Sequence, residues 1–158
     1  KIASYGFNNV VELKDETKWQ QVSITRIGGQ HGFGKWAEQL GPVSGFVFQY
    51  PSEPTVYWIG DSVWCEEVEQ VLEKFQPEVV VTHSGGAELK NSGPIIMDAD
   101  QTIKVCHALP SAVVIATHLE SLDHCMTTRE TLRIAAIDAG VDDKQLLIPA
   151  DGKLVEFN

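Results

Sequence analysis

The sequence predicts an α/β fold, with a parallel sheet in its second half and consecutive strands in its first. Three observations carry that expectation. Unbroken apolar runs at 79–81 and 112–116 are strand-sized and read as strands buried on both faces. Between and after them, apolar residues recur at helical spacing, and each such segment closes on a breaker, Pro77 or Gly140. Before residue 60 no helical segment separates the strand patterns, so the first half is expected to pair strand to strand.

Residues 1–21 are polar and weakly patterned, with turn signals at Gly6 and Asn8-Asn9. Val22-Ser23-Ile24-Thr25 alternates apolar and polar residues, as a half-buried strand does. It runs into Gly28-Gly29-Gln30-His31-Gly32-Phe33-Gly34, whose glycines exclude a helix interior and predict a loop at a strand end. Residues 44–50 and 55–59 are two further strands, joined by the hairpin-type turn Pro51-Ser52-Glu53-Pro54. After Gly60-Asp61 the period changes, and Val63, Val68, Val71, Leu72 and Phe75 suit one face of a helix that Pro77 ends. The strand at 79–81 is followed by a loop over 84–94. Asp98 with Gln101 has the form of a capping box and opens a helix to about Leu109. After the strand at 112–116, Thr127 with Glu130 forms a second capping box, opening a helix to Gly140. A short strand at 146–148 completes the order. No repeat or low-complexity linker divides the chain.

The 158 residues are 43% hydrophobic and 22% charged, the balance of a globular domain rather than a disordered or fibrous chain. No apolar run approaches the roughly 20 residues of a membrane span. The first residues lack the apolar stretch of a secretory leader, so a soluble, cytoplasmic protein without a membrane partner is expected. Twelve Lys and Arg against 22 Asp and Glu give a net charge of −10. That sign disfavours phosphate backbones and anionic lipid, so no nucleic-acid partner is expected. A small anionic substrate held at a metal remains compatible with it. Three cysteines without a C-x-x-C spacing argue against a disulfide scaffold and a cysteine-only zinc site.

In open α/β sheets function collects at the carboxyl ends of strands. The polar residues directly after predicted strands are His31, Asp61, His83 and His118, with His124 six residues further on. Four of the five histidines fall in this set, and only His107 sits inside a predicted helix. Imidazoles and a carboxylate converging from separate strand ends suit Zn, Mn or Fe. Each residue also has a plainer reading: His31 a surface loop histidine, Asp61 a helix cap, His118 a core histidine with its bonds satisfied. Other motifs do poorly. The Gly-rich loop is not G-x-G-x-x-G, and no G-x-x-x-x-G-K-[ST] occurs. Ser84-Gly85-Gly86 lacks the frame of a nucleophile elbow, since Thr82 holds its first glycine position. Cys125 beside His124 is a poor thiol dyad, because adjacent residues rarely form one. The four tryptophans form no stripe with basic residues.

Four segments together carry a family resemblance. They are Gly29-Gln30-His31-Gly32, Gly41-Pro42-Val43-Ser44-Gly45-Phe46, Tyr57-Trp58-Ile59-Gly60-Asp61-Ser62-Val63-Trp64 and Ala116-Thr117-His118-Leu119-Glu120-Ser121-Leu122-Asp123-His124-Cys125. In this order, over about residues 22–151, the chain resembles the C-terminal half of a metallo-β-lactamase-fold metal-dependent hydrolase, in the L-ascorbate-6-phosphate lactonase-like branch. The resemblance implies half of an αββα sandwich, a mixed sheet with helices on its outer face. It implies that His31 binds a first metal, that Asp61 bridges two metals, and that His118 binds the second. It implies that His124 touches substrate or donates a proton, and it leaves the role of His83 open. Two Zn ions per complete domain are implied, with Mn or Fe as alternatives. They would hold a hydroxide that attacks a small-molecule ester, lactone, amide or phosphoester.

One departure is large. The family's His-x-His-x-Asp-His signature is missing, since residues 1–30 contain no histidine. The chain is therefore expected to be the C-terminal half of a metallo-β-lactamase-like domain, inactive alone. Its inner sheet face should be apolar and covered either by the N-terminal half of the fold or by a second copy. A catalytically silent scaffold for binding or oligomerisation is the competing reading, and a flavodoxin-like binding domain a third.

Overall fold

In the computed structural model, which describes residues 2–157, the strand-forming segments assemble into one sheet. Its strands are β1 (Glu16–Trp19), β2 (Val22–Ile27), β3 (Gly45–Gln49), β4 (Val56–Trp58), β5 (Val79–His83), β6 (Val113–Thr117) and β7 (Leu146–Leu147). They lie side by side in chain order. The pairings from β1 to β4 are antiparallel, and those from β4 to β7 are parallel. The helices are α1 (Lys35–Leu40), α2 (Glu66–Phe75), α3 (Ala99–Ala108) and α4 (Arg129–Asp138). The last three fill the crossovers between parallel strands, so the β-α alternation expected for the second half is present.

Register determines which face each strand residue serves, because neighbours in a row point the same way. One row runs Thr25, Val47, Tyr57, Val80, Val114, Leu146. Its Val47, Tyr57, Val80, Val114 and Leu146 are buried in one apolar cluster. That cluster also takes in Val68, Val71 and Leu72 of α2, Ile103, Val105 and Cys106 of α3, and Leu132 and Ala136 of α4. The helices therefore cover this face. The adjacent row runs Arg26, Phe46, Trp58, Val81, Ile115, Leu147. None of its members joins the cluster, and Trp58 is 45% exposed. The opposite face is thus apolar and only partly covered.

Several local expectations change. The first half is not free of helix: α1 stands between β2 and β3. It is too short to show an apolar period, and glycines flank it on both sides. The polar segment before residue 22 contains β1 and a 3₁₀ turn at Ala3–Tyr5. β1 is an edge strand with mostly exposed residues, so it lacks the alternation that marks a strand with one face on a core. Helix α2 begins after Cys65, and Val63 precedes it, buried as the chain enters the core. The capping box of α4 is one residue later than the sequence suggests: Thr128 caps, Thr131 returns the bond, and Thr127 is buried. At α3 the Asp98 side chain accepts from the Gln101 amide as expected. The Gln101 side chain, however, accepts from the backbone of Trp64 at 2.6 Å and so ties α3 to the loop after β4. No helix is long and apolar enough to cross a membrane among the described residues.

Leu132 is fully buried where α4 meets the common cluster. Leu132→Ala is expected to cost about 2–5 kcal/mol, the range for deleting a buried leucine side chain. Equilibrium urea unfolding measures it.

Candidate metal centre

The parallel register carries three strand ends to one edge of the sheet. Asp61 follows β4 through Gly60, whose φ is 76°. A side chain at Gly60 would place its Cβ 2.8 Å from the Ser44 carbonyl oxygen, so the turn that presents Asp61 requires glycine. His83 is the last residue of β5. His118 follows β6 directly and takes a left-handed conformation, φ 58°, as does Glu120 at 59°. Each such non-glycine residue costs on the order of 1–3 kcal/mol and persists only where its surroundings hold it. Here the surroundings are close. The Ser84 amide donates to the Thr117 carbonyl at 2.9 Å, and the Thr117 hydroxyl donates to the Thr82 carbonyl at 2.8 Å. Gly85 packs so near that a Cβ on it would lie 2.2 Å from the His118 carbonyl oxygen.

One potential ligand atom from each of Asp61, His83 and His118 lies within 4.8 Å of the others. His83 Nδ1 is 2.6 Å from Asp61 Oδ1, and the His83 and His118 ring centroids are 5.2 Å apart. On its other side, His83 Nε2 is 3.2 Å from Trp58 Nε1. An indole N–H only donates, so Nε2 accepts. The proton of the neutral imidazole is then on Nδ1, which donates to the Asp61 carboxylate. This hydrogen bond is the main reason the Asp61 carboxyl titrates below its ordinary value; burial opposes it, and positive charge on His83, His31 or His118, when they are protonated, assists.

His31 stands outside the 4.8 Å group but within electrostatic reach of it. Burial lowers its pKa most, Asp61 raises it and His118 lowers it further. Its loop is tied to the Asp61 loop by two bonds. The Gln30 amide donates to the buried Ser62 hydroxyl at 3.0 Å, and the Val63 amide donates to the Gln30 carbonyl at 2.8 Å. His124 also lies outside the converging set; its Nδ1 is 3.4 Å from Asp123 Oδ1, and its carbonyl accepts from the Glu88 amide. Cys125 turns its sulfur toward His118 Nδ1, 3.8 Å away, rather than toward His124, and burial raises its thiol. His107 is an exposed residue of α3.

Two imidazoles and a carboxylate from converging strand ends are a fitting donor set for Zn, Mn or Fe. Both ring nitrogens of His83 are already hydrogen-bonded, Nε2 to Trp58 and Nδ1 to Asp61. The sequence assigns no role to His83 and none to Trp58, Ser62 or Gly85. These act through neighbours that only the folded chain brings near.

Comparison with known proteins shows the family of the chain. Residues 4–119 match the family model described as the beta-lactamase superfamily domain. The UPF0173 protein YddR of Bacillus subtilis (strain 168) is 32% identical over 158 residues, which are 99% of this chain and 62% of YddR. The solved structure of an isothiocyanate hydrolase from Delia radicum gut bacteria is 37% identical and superimposes with a TM-score of 0.91 over 99% of this chain and 62% of that one. A possible metal-dependent hydrolase from Veillonella parvula DSM 2008 is 28% identical, with a TM-score of 0.90 over 96% of this chain and 60% of that one. The chain thus spans less than two thirds of the length of these relatives.

Two outcomes follow from the geometry. Gly85→Ala forces a Cβ against the His118 carbonyl, and a loss of about 1–3 kcal/mol is expected in chemical denaturation, the usual scale of overpacking. Because the folded-state pKa of Asp61 is depressed, its contribution to stability is complete above the ordinary value of 3.8 and is lost as pH falls through the folded value. His83→Ala removes the main cause of that depression. The stability difference between wild type and variant should therefore narrow below pH 3.8, as read by denaturation across a pH series.

Proposed function

The chain belongs to the beta-lactamase superfamily, and on that premise we propose that the protein is a metal-dependent hydrolase of small, electrophilic substrates. The observation that carries this reading is the convergence of Asp61, His83 and His118 at three adjacent strand ends. A bound ion, or a pair of them, would supply a water of lowered pKa and polarise the substrate atom that gains charge.

The roles proposed for this chain's residues follow from their positions. Asp61, held by His83, and His118 take the metal, and His31 joins them from the loop that Ser62 ties to Asp61. The metal is proposed to be Zn, two ions per complete domain, with Mn or Fe compatible with the same donors. His124, on the loop after His118, is proposed as the proton donor to the leaving group. The remaining ligands, and the cover for the open apolar sheet face, are proposed to come from a further half of the fold.

Esters, lactones, amides and phosphoesters all present an electrophilic carbon or phosphorus to water. The 37% identical relative hydrolyses isothiocyanates, so an isothiocyanate is the first substrate to test here. The balanced reaction adds one water to R–N=C=S and releases the amine and carbonyl sulfide.

The test uses the full-length protein. Elemental analysis should find close to two metal ions per chain, and chelation should remove the activity. His118→Ala should lower kcat/KM by at least about 10²-fold, since changes behind a ligand already reach that scale. Full activity in metal-free protein would sink the reading.

A further inference from the structure

Trp58 has an unusual setting for a tryptophan. It is 45% exposed on the open sheet face, yet its one polar atom is turned inward onto a histidine, 3.2 Å away. Its ring meets His83 edge-on, with centroids 5.9 Å apart at 71°. His83 in turn reaches Asp61 at 2.6 Å. The three groups form a chain in which each bond runs in one direction only, because the indole can only donate and the carboxylate can only accept.

The geometry points to Trp58 as a positioning residue for the metal centre, acting through His83 by fixing which of its nitrogens carries the proton. This rests on the metal-centre reading above. A neutral imidazole has two tautomers, and only the Nδ1–H form can donate to Asp61 while accepting from Trp58. In the other tautomer Nδ1 would turn a lone pair toward the carboxylate and Nε2 a proton toward the indole N–H, so both bonds would be lost. A ring flip would set carbon atoms against both partners, with the same loss. The indole N–H and the carboxylate together select one tautomer and one ring orientation. The bond to Oδ1 then holds one oxygen of the Asp61 carboxylate and limits how the group can turn toward an ion. Parallel register places the donor where it is needed: Trp58 pairs with Val81, two residues before His83 on the same face.

Two measurements on the full-length protein test this. Long-range proton–nitrogen NMR of His83 should report the Nδ1–H tautomer with a hydrogen-bonded Nε2. In Trp58→Phe, the Nε2 resonance should move toward that of a free imidazole nitrogen. Competition against a chelator should show Zn(II) binding weakened about 10–100-fold in Trp58→Phe, the range for an orienting partner behind a metal ligand. If Trp58 acts through His83, the double variant Trp58→Phe/His83→Ala should bind Zn(II) as His83→Ala alone does. An equal loss from Trp58→Phe in both backgrounds overturns the inference, as does unchanged Zn(II) binding in Trp58→Phe or an Nε2–H tautomer in the wild type. Absence of Zn(II) binding by the wild type would overturn the metal-centre reading. The Trp58–His83–Asp61 chain would then stand only as a hydrogen-bonded array, and the positioning role falls with the metal centre.

Discussion

Parallel hydrogen bonding between β4, β5 and β6 determines which residues stand together at the edge of the sheet. Trp58, Val81 and Ile115 share a row. The ladder runs on through Ile59 to the Val81 carbonyl and through Ser84 to the Thr117 carbonyl. Two positions beyond that row His83 pairs with Thr117, and Asp61 and His118 follow the ends of β4 and β6. A slip of one residue would turn His83 to the helical face and carry Val80 and Val114 out of the core. The apolar cluster that anchors α2, α3 and α4 therefore also holds the candidate centre in register.

Around that frame, polar groups meet one another with little slack. Thr82, Ser84 and Thr102 are fully buried and share hydroxyl bonds of 2.7 and 2.9 Å, joining the end of β5 to α3. Ser62 links the loop of His31 to that of Asp61, and the Met97 amide donates to the Ser62 carbonyl. The strained backbone at His118 lies against this network and against Gly85. Buried polar groups are costly unless paired, so such a network admits few arrangements. A chain with net charge −10 can thus present a carboxylate and several imidazoles in fixed geometry.

The two faces of the sheet differ in kind. One is sealed by three helices. The other carries Phe46, Trp58, Val81 and Ile115 in a single row. Val56, Val79, Val81 and Ile115 line a groove on it, with Phe157 at its rim. Large exposed apolar patches mark interaction surfaces. The chain also spans only 62% of the isothiocyanate hydrolase it matches.

The sequence by itself determined the α/β order, because buried parallel strands and amphipathic helices leave different periods. It also marked His31, Asp61, His83 and His118, because each directly follows a strand pattern, and the family resemblance implied roles for His31, Asp61 and His118. It could not reveal α1 or β1, which are short and lack a buried face to impose a period. Nor could it assign His83, whose partners Trp58 and Asp61 lie 25 and 22 residues away along the chain. Only the tertiary structure decided that His83 stands between a donor and a carboxylate, because the parallel register, not local sequence, brings β4 and β5 side by side. The same is true of Gly85, whose need for a bare backbone comes from a carbonyl 33 residues away, at His118.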